Sequence, residues 1–283
     1  MKLRQILEKF YQVNVDLYRE LRDQSRIHRQ IREVDVRSLY DRVHREAAPC
    51  FVLSTGRCGT RLLTDILQES DQLRPQHVPT PELTYYSSFA YKNAREKPEL
   101  VSSIIDSARY EQIRDAWVLG KKYVETNNRI TFFCHALADL FPGSNFIHLV
   151  RKPEEFITSG LARNWYSGTV LHDEGRIAPE DNQVSQAEKI AWLWNETNGF
   201  IEAFKETCPE ERVLTIRAEE LFHSVDTTFR IFDFLDINPV AESVIRNKIS
   251  RPVNQQDKSR VPKDRVTGQL LEQWTPLRSR YFT

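Results

Sequence analysis

The stretch Cys50-Phe51-Val52-Leu53-Ser54-Thr55-Gly56-Arg57-Cys58-Gly59-Thr60 changes character twice within a few residues. Four apolar residues follow Pro49 and have the length and composition of a buried strand. A glycine-containing turn occupies 54–60. Leu62, Leu63, Ile66 and Leu67 then recur at helical spacing. A turn between a buried strand and a helix aims backbone N–H groups, and the positive end of the helix dipole, at whatever lies above the helix start. Gly56 and Gly59 allow the backbone to approach an anion closely. Arg57 can grip phosphate or sulfate oxygens with two parallel hydrogen bonds, and Thr60 adds a hydroxyl. The segment therefore predicts an anion cradle.

Outward from this cradle, strands and helices alternate. Lys122–Glu125 and the more apolar runs Phe146–Val150 and Val213–Ile216 suit short strands, and helical patterns cover 99–118, 129–141, 154–163, 185–206 and 225–235. Pro153 sits where a helix begins, and Ser224 where one is capped. Alternation of this kind predicts an α/β fold of three layers, with a central, mostly parallel sheet flanked by helices. Residues 72–98, with their prolines and aromatics, are expected to form a loop-rich segment. The polar stretch 164–184 predicts a long loop of the sort that serves as a lid or binding element, and 250–268 a second, basic loop. Upstream, Leu3, Ile6, Leu7, Phe10, Tyr11, Val15, Leu17, Tyr18 and Leu21 recur at helical spacing before an arginine-rich run. Residues 1–47 are thus expected to be a helical arm that packs on the body or on a second copy, and 48–283 the main domain.

Composition narrows the function. The 283 residues carry 40 basic and 40 acidic side chains, whereas a general nucleic-acid binder would carry a basic excess. The four cysteines form no CxxC pair and no zinc-type spacing, so they are expected to be free thiols of a reducing compartment. No signal peptide and no apolar run of membrane-spanning length stands out. The expectation is a cytoplasmic protein without a membrane span.

A second anion-binding device lies at Arg151, directly after the strand candidate Phe146–Val150, with Ser159 eight residues later on the following helix. A guanidinium at a strand end and a hydroxyl two turns into the next helix can both face the crevice at the carboxyl edge of a parallel sheet. Two such devices fit a nucleotide that is anionic at two positions. The loop is no Walker A motif: that motif reads GxxxxGK[ST], and here no lysine follows Gly59.

At these residues the chain resembles the PAPS-dependent sulfotransferases, nearer to their bacterial, carbohydrate and tyrosyl-protein branches than to the cytosolic steroid and phenol enzymes. Thr55-Gly56-Arg57-Cys58-Gly59-Thr60 is similar to their 5′-phosphosulfate loop, and Arg151 through Ser159 to their 3′-phosphate motif. Val213 through Leu221, followed by the helix ending Phe234-Leu235, is similar to a third shared segment. The resemblance implies a P-loop-like fold that binds PAPS, releases 3′,5′-ADP and uses no metal. Thr55, Gly56, Arg57, Cys58, Gly59, Thr60 and Arg61 would then cradle the 5′ end, with Arg57 on the transferring sulfuryl group, while Arg151 and Ser159 hold the 3′-phosphate. Lys258 and Arg260, with Lys263 nearby, are candidates for a basic lid. Cys58 departs from the usual serine and is expected to cost a hydroxyl contact.

The candidate bases, in order, are Glu82, Glu125 and His77; for Glu125 a structural ion pair with an arginine is the alternative. The acceptor, a hydroxyl of a small molecule or carbohydrate before an amine, would lie between 77–92 and 164–184. There Tyr85, Tyr86, Phe89, Trp165 and Tyr166 are expected as walls, and His172, Asp173, Glu174 and Arg176 as polar contacts. The acidic pair points to a cationic acceptor. A P-loop nucleotide kinase and a catalytically silent PAPS-binding protein remain as alternatives.

Overall fold

Cys50–Leu53 (β1) is buried at every position because it is the middle strand of a sheet covered on both faces. The computed structural model describes residues 2–169, 173, 175–181, 183–251 and 265–282, and the backbone alone of residues 2–10 and 12. After two helices, α1 (Lys2–Ile31) and α2 (Val36–Glu46), come β1, α3 (Thr60–Leu67), β2 (Leu73–Gln76), α4 (Thr84–Asn93), α5 (Pro98–Val118) and β3 (Lys122–Glu125). A 3-10 turn at Asn128–Phe133 leads to α6 (Cys134–Leu140), β4 (Asn145–Val150), α7 (Pro153–Leu161), α8 (Gln186–Lys205) and β5 (Val213–Arg217). The chain continues through α9 (Ala218–His223), α10 (Val225–Phe234), α11 (Glu242–Ile249), α12 (Gly268–Trp274) and α13 (Arg278–Tyr281).

The five strands lie in the order β2-β3-β1-β4-β5, every pairing parallel. The chain leaves β1 toward β2 and leaves β4 toward β5, so the strand order reverses between β1 and β4. Such a point opens a crevice at the carboxyl ends of the strands. Strand residues sort alternately to the two faces. Phe51, Leu53, Tyr123 and Phe146 join one apolar cluster with α5, α6 and α8. Cys50, Val52, Val124, Ile147 and Leu149 join the other, with α3, α10 and α11. Each fully buried Phe or Leu contributes about 1.5–3 kcal/mol, and this two-sided burial produces the three layers that the alternation predicts.

Two elements differ from the sequence expectation. Residues 72–98 contain β2 and α4 rather than loop alone. Pro75 hides the strand, since proline removes a ladder donor; it is tolerated because β2 is an edge strand, paired only to β3. The helix expected at 129–141 begins as a 3-10 turn, which the Asn127 side chain opens by accepting from Arg129 N–H.

Asp35 caps α2 through the Ser38 N–H, and Leu39, Val43 and Ala47 join the main core cluster. In α1, by contrast, Tyr11, Leu17, Tyr18 and Leu21 are exposed. Among the described residues no helix is long and apolar enough to cross a membrane.

Candidate active site

The turn after β1 is held from below. The Thr131 hydroxyl accepts from Ser54 N–H and donates to Ser54 O, both at 3.0 Å. Gly56, Arg57 and Gly59 all take positive φ, at 81°, 59° and 91°. Such turns curl successive N–H groups into an anion-binding concavity. Gly56 is packed under the Asn128 amide, 3.1 Å from where a Cβ would sit, and Gly59 under the Phe222 ring at 2.5 Å. The Cys58 side chain is fully buried in the loop, its Sγ 3.0 Å from Gly56 O. Burial pushes its thiol up to about 11, so it stays neutral. The thiol therefore stitches the turn, a role the sequence does not suggest.

The two anion devices meet. Arg151, at the end of β4, donates from Nη1 to Arg57 O at 2.6 Å, and Arg57 Nε lies 3.4 Å from Ser159 Oγ. Arg163, one turn beyond Ser159, donates to the same hydroxyl at 3.0 Å. Among the described residues the buried Arg151 Nε has no hydrogen-bond partner, while Trp194, fully buried, donates to Arg151 O. Burial, and then repulsion from Arg57, Arg151 and Arg176, pushes Arg163 down to about 10. Burial and Arg151 lower Arg57 as well. Guanidinium groups gathered this closely are stabilised by a multiply charged anion. The orphaned Arg151 Nε and the concave turn both fit the phosphates of a bisphosphorylated nucleotide. The Arg61 side chain instead runs along α3 to Asp65, leaving its N–H as its contribution to the turn.

The three base candidates differ sharply in setting. Glu125 is fully buried, with both oxygens accepting from Arg109 at 2.6 and 3.0 Å and a third bond from Tyr123 OH. Arg109 also donates to Pro81 O, which ties β3 to the segment bearing Glu82. Glu82 is exposed, accepts from Thr84 Oγ1, and lies within the electrostatic reach of Arg129.

His77 is half-buried, its Nδ1 3.0 Å from Thr126 Oγ1. The Thr126 hydroxyl also meets Thr64 Oγ1 at 2.6 Å, and Thr64 in turn donates to Thr60 O, so a short run of hydroxyls ties the His77 ring to the start of α3. Burial and the nearby Arg61 and Arg57 charges lower the imidazole below its ordinary range, keeping it neutral at pH 7.

Beside the turn lies a cavity lined by Ser54, Thr55, Asn128, Arg129, Phe132 and Arg176, among others. Of the expected walls, Trp165 is buried behind Arg176, which stacks on it at 4.0 Å, and Tyr166 is tied down by its OH to Ile177 O. Tyr85 and Tyr86 are exposed, and Phe89 packs on the core. Arg129, Arg163 and Phe132 were not legible as site residues. An arginine one turn past Ser159 is the only sequence signal that could have found any of them. Lys258, Arg260, Lys263, His172 and Glu174 lie outside the described residues. Among the described residues no group of three or more His, Cys, Asp or Glu could hold a metal.

A model of the sulfotransferase family matches residues 49–242. No curated protein matches the sequence. Among solved structures, the sulfotransferase STF9 from Mycobacterium avium is 16% identical, with a TM-score of 0.53 over 90% of this chain and 80% of that one. The sulfotransferase STF1 from Mycobacterium tuberculosis H37Rv is 13% identical, with a TM-score of 0.50 over 90% of this chain and 81% of that one. At these identities the likeness speaks to the fold.

Proposed function

The chain belongs to the sulfotransferase family, and from that premise we propose that it moves a sulfuryl group from PAPS to a hydroxyl of a small-molecule or carbohydrate acceptor. The observation that carries this is the convergence of Arg57, Arg151 and Ser159 between β1 and β4. PAPS supplies the sulfuryl group. The N–H groups of 58–61 hold the 5′-phosphate, and Arg151 and Ser159, with Arg163, hold the 3′-phosphate. Arg57 neutralises charge that builds on the sulfuryl oxygens and the leaving phosphate, as positioning and electrostatics do in phosphoryl transfer. A sulfuryl group carries less charge than a terminal phosphoryl group, so these residues act without a metal.

The base is His77. Its ring, neutral near pH 7, suits proton abstraction, and it lies within the field of Arg57. Glu82 is second. Glu125, sealed under Arg109, is assigned to structure. Lys258 and Arg260 remain lid candidates. The four free cysteines suit a reducing compartment such as the cytoplasm. Residues 1–47 are kept as an arm, and the exposed stripe of α1 as a face for a second copy.

The test is thermal unfolding with 3′,5′-ADP, ADP and ATP, followed by transfer of labelled sulfate from PAPS to a panel of acceptors. Stabilisation by 3′,5′-ADP well beyond that by ADP is expected. Turnover of ATP with magnesium and no response to 3′,5′-ADP would return the chain to the kinase alternative. Binding of 3′,5′-ADP with no transfer to any acceptor class would make it a silent binder.

A further inference from the structure

The cavity beside the anion turn shares Ser54 and Thr55 with it, yet Arg57, Arg151 and Ser159 do not line it. Among the described residues its charged lining is two guanidinium groups, Arg129 and Arg176, with no carboxylate. Arg176 is already engaged: Nε bonds Asp173 Oδ1 at 3.1 Å and the group stacks on Trp165. The other Asp173 oxygen accepts from Tyr166 N–H at 2.9 Å, so this carboxylate is held by its own loop. Arg129 is different. It is half-buried, and among the described residues its guanidinium has no hydrogen-bond or ion-pair partner. Phe132, Ile177 and Leu193 supply apolar wall, and Ser87, Asn128 and Thr197 polar groups. That mixture of apolar wall and a few fixed polar groups is typical of a small-molecule site.

We propose that this cavity takes the acceptor, and that the acceptor carries an oxyanion (carboxylate, sulfate or phosphate) beside its reacting hydroxyl, with Arg129 as the group that reads it. The proposal rests on the sulfuryl-transfer assignment above. A guanidinium offers planar, two-pronged donation that matches such oxyanions, and in a partly dry cavity the match is strong. Burial and the Arg176 charge lower Arg129, and the Glu82 carboxylate offsets only part of this, so a bound anion relieves the remaining repulsion. The sequence expectation of a cationic acceptor rested on Asp173 and Glu174; Asp173 is taken up by Arg176 and Tyr166.

The experiment uses two matched pairs: 4-hydroxyphenylacetate with 4-methylphenol, and glucuronate with glucose. Each compound is titrated into full-length protein saturated with 3′,5′-ADP, by calorimetry and by thermal shift, and is then tested as an acceptor with PAPS. In at least one pair the anionic member is expected to bind about tenfold or more tightly than its neutral partner. Arg129→Gln should remove that preference, Arg129→Lys should retain part of it, and KM for PAPS should stay unchanged.

Equal binding of charged and neutral members overturns the proposal. So does no binding by either anionic compound, or a preference that survives Arg129→Gln. A raised KM for PAPS in Arg129→Gln would move the residue to the donor site and also overturn it. A protein that ignores 3′,5′-ADP sinks the transfer assignment instead; anion selectivity measured on the unliganded protein still decides the role of Arg129.

Discussion

Gly59 meets two demands at one backbone position, a left-handed φ and a space already filled by the Phe222 ring. Gly59→Ala is expected to cost more than about 2 kcal/mol and to abolish stabilisation by 3′,5′-ADP, as thermal unfolding would register. Arg151→Ala should weaken 3′,5′-ADP binding far more than ADP binding, since only the former presents a 3′-phosphate; equal losses would remove the assignment. His77→Gln is expected to lower kcat by about 10²–10⁴, with Glu82→Gln close to wild type. Because a base works only when deprotonated, wild-type kcat/KM should rise with pH through a value below the ordinary imidazole range and then level off; a flat profile there would favour Glu82. Arg57, Arg151 and Ser159 were legible because each stands at a fixed offset from a strand end. The setting of His77 was not, because it depends on a run of hydroxyls through Thr126 and Thr64 that only the fold assembles.

Between elements, buried charge does the joining. Arg109 on α5 and Glu125 on β3 are both fully buried and face each other with two hydrogen bonds. Arg109→Met would leave a buried carboxylate unmatched, and a loss of about 3–5 kcal/mol is expected in denaturant unfolding. The same variant frees Pro81 O and so loosens the Glu82 segment.

A second joint pins α2 to α5. His44 Nδ1 faces Tyr40 O and Nε2 faces Asp106, which also accepts from Tyr40 OH; with both ring nitrogens facing acceptors, the imidazole is a cation. Burial alone would lower His44, but the hydrogen bonds to Asp106 and Tyr40 O raise it. Burial alone would raise Asp106, but His44 and Tyr40 lower it. The clamp therefore contributes at full strength above the unfolded carboxylate value and below the unfolded imidazole value. It fades as pH rises through the raised imidazole value, or falls through the lowered carboxylate one. Thermal midpoints of wild type and His44→Gln should converge as pH climbs past neutrality; a constant gap would show the histidine acting by packing alone. Sequence periodicity exposed both helices, and an ion pair of Glu125 with an arginine was among the expectations, but the choice of Arg109 and the pairing of His44 with Asp106 leave no mark on local pattern.

At the scale of the whole molecule, alternation of strand and helix gave away the three layers, and the same logic concealed β2, whose proline obscures an edge strand. The strand order itself, β2-β3-β1-β4-β5, was beyond local pattern, because it is set by which apolar faces meet. If α1 is a face for a second copy, Leu17→Glu with Leu21→Glu should lower the mass seen in sedimentation while leaving PAPS turnover intact. The placement of β1 has one more outcome. Its two ladder neighbours are supplied by Val124–Glu125 and Asn145–His148, so during synthesis the anion turn leaves the ribosome long before either flank exists to hold it. Nascent chains stalled short of residue 150 should be protease-sensitive at 50–60 and blind to nucleotide, with protection of the turn following β4 and nucleotide binding arriving only after α7, with Ser159 and Arg163, has emerged.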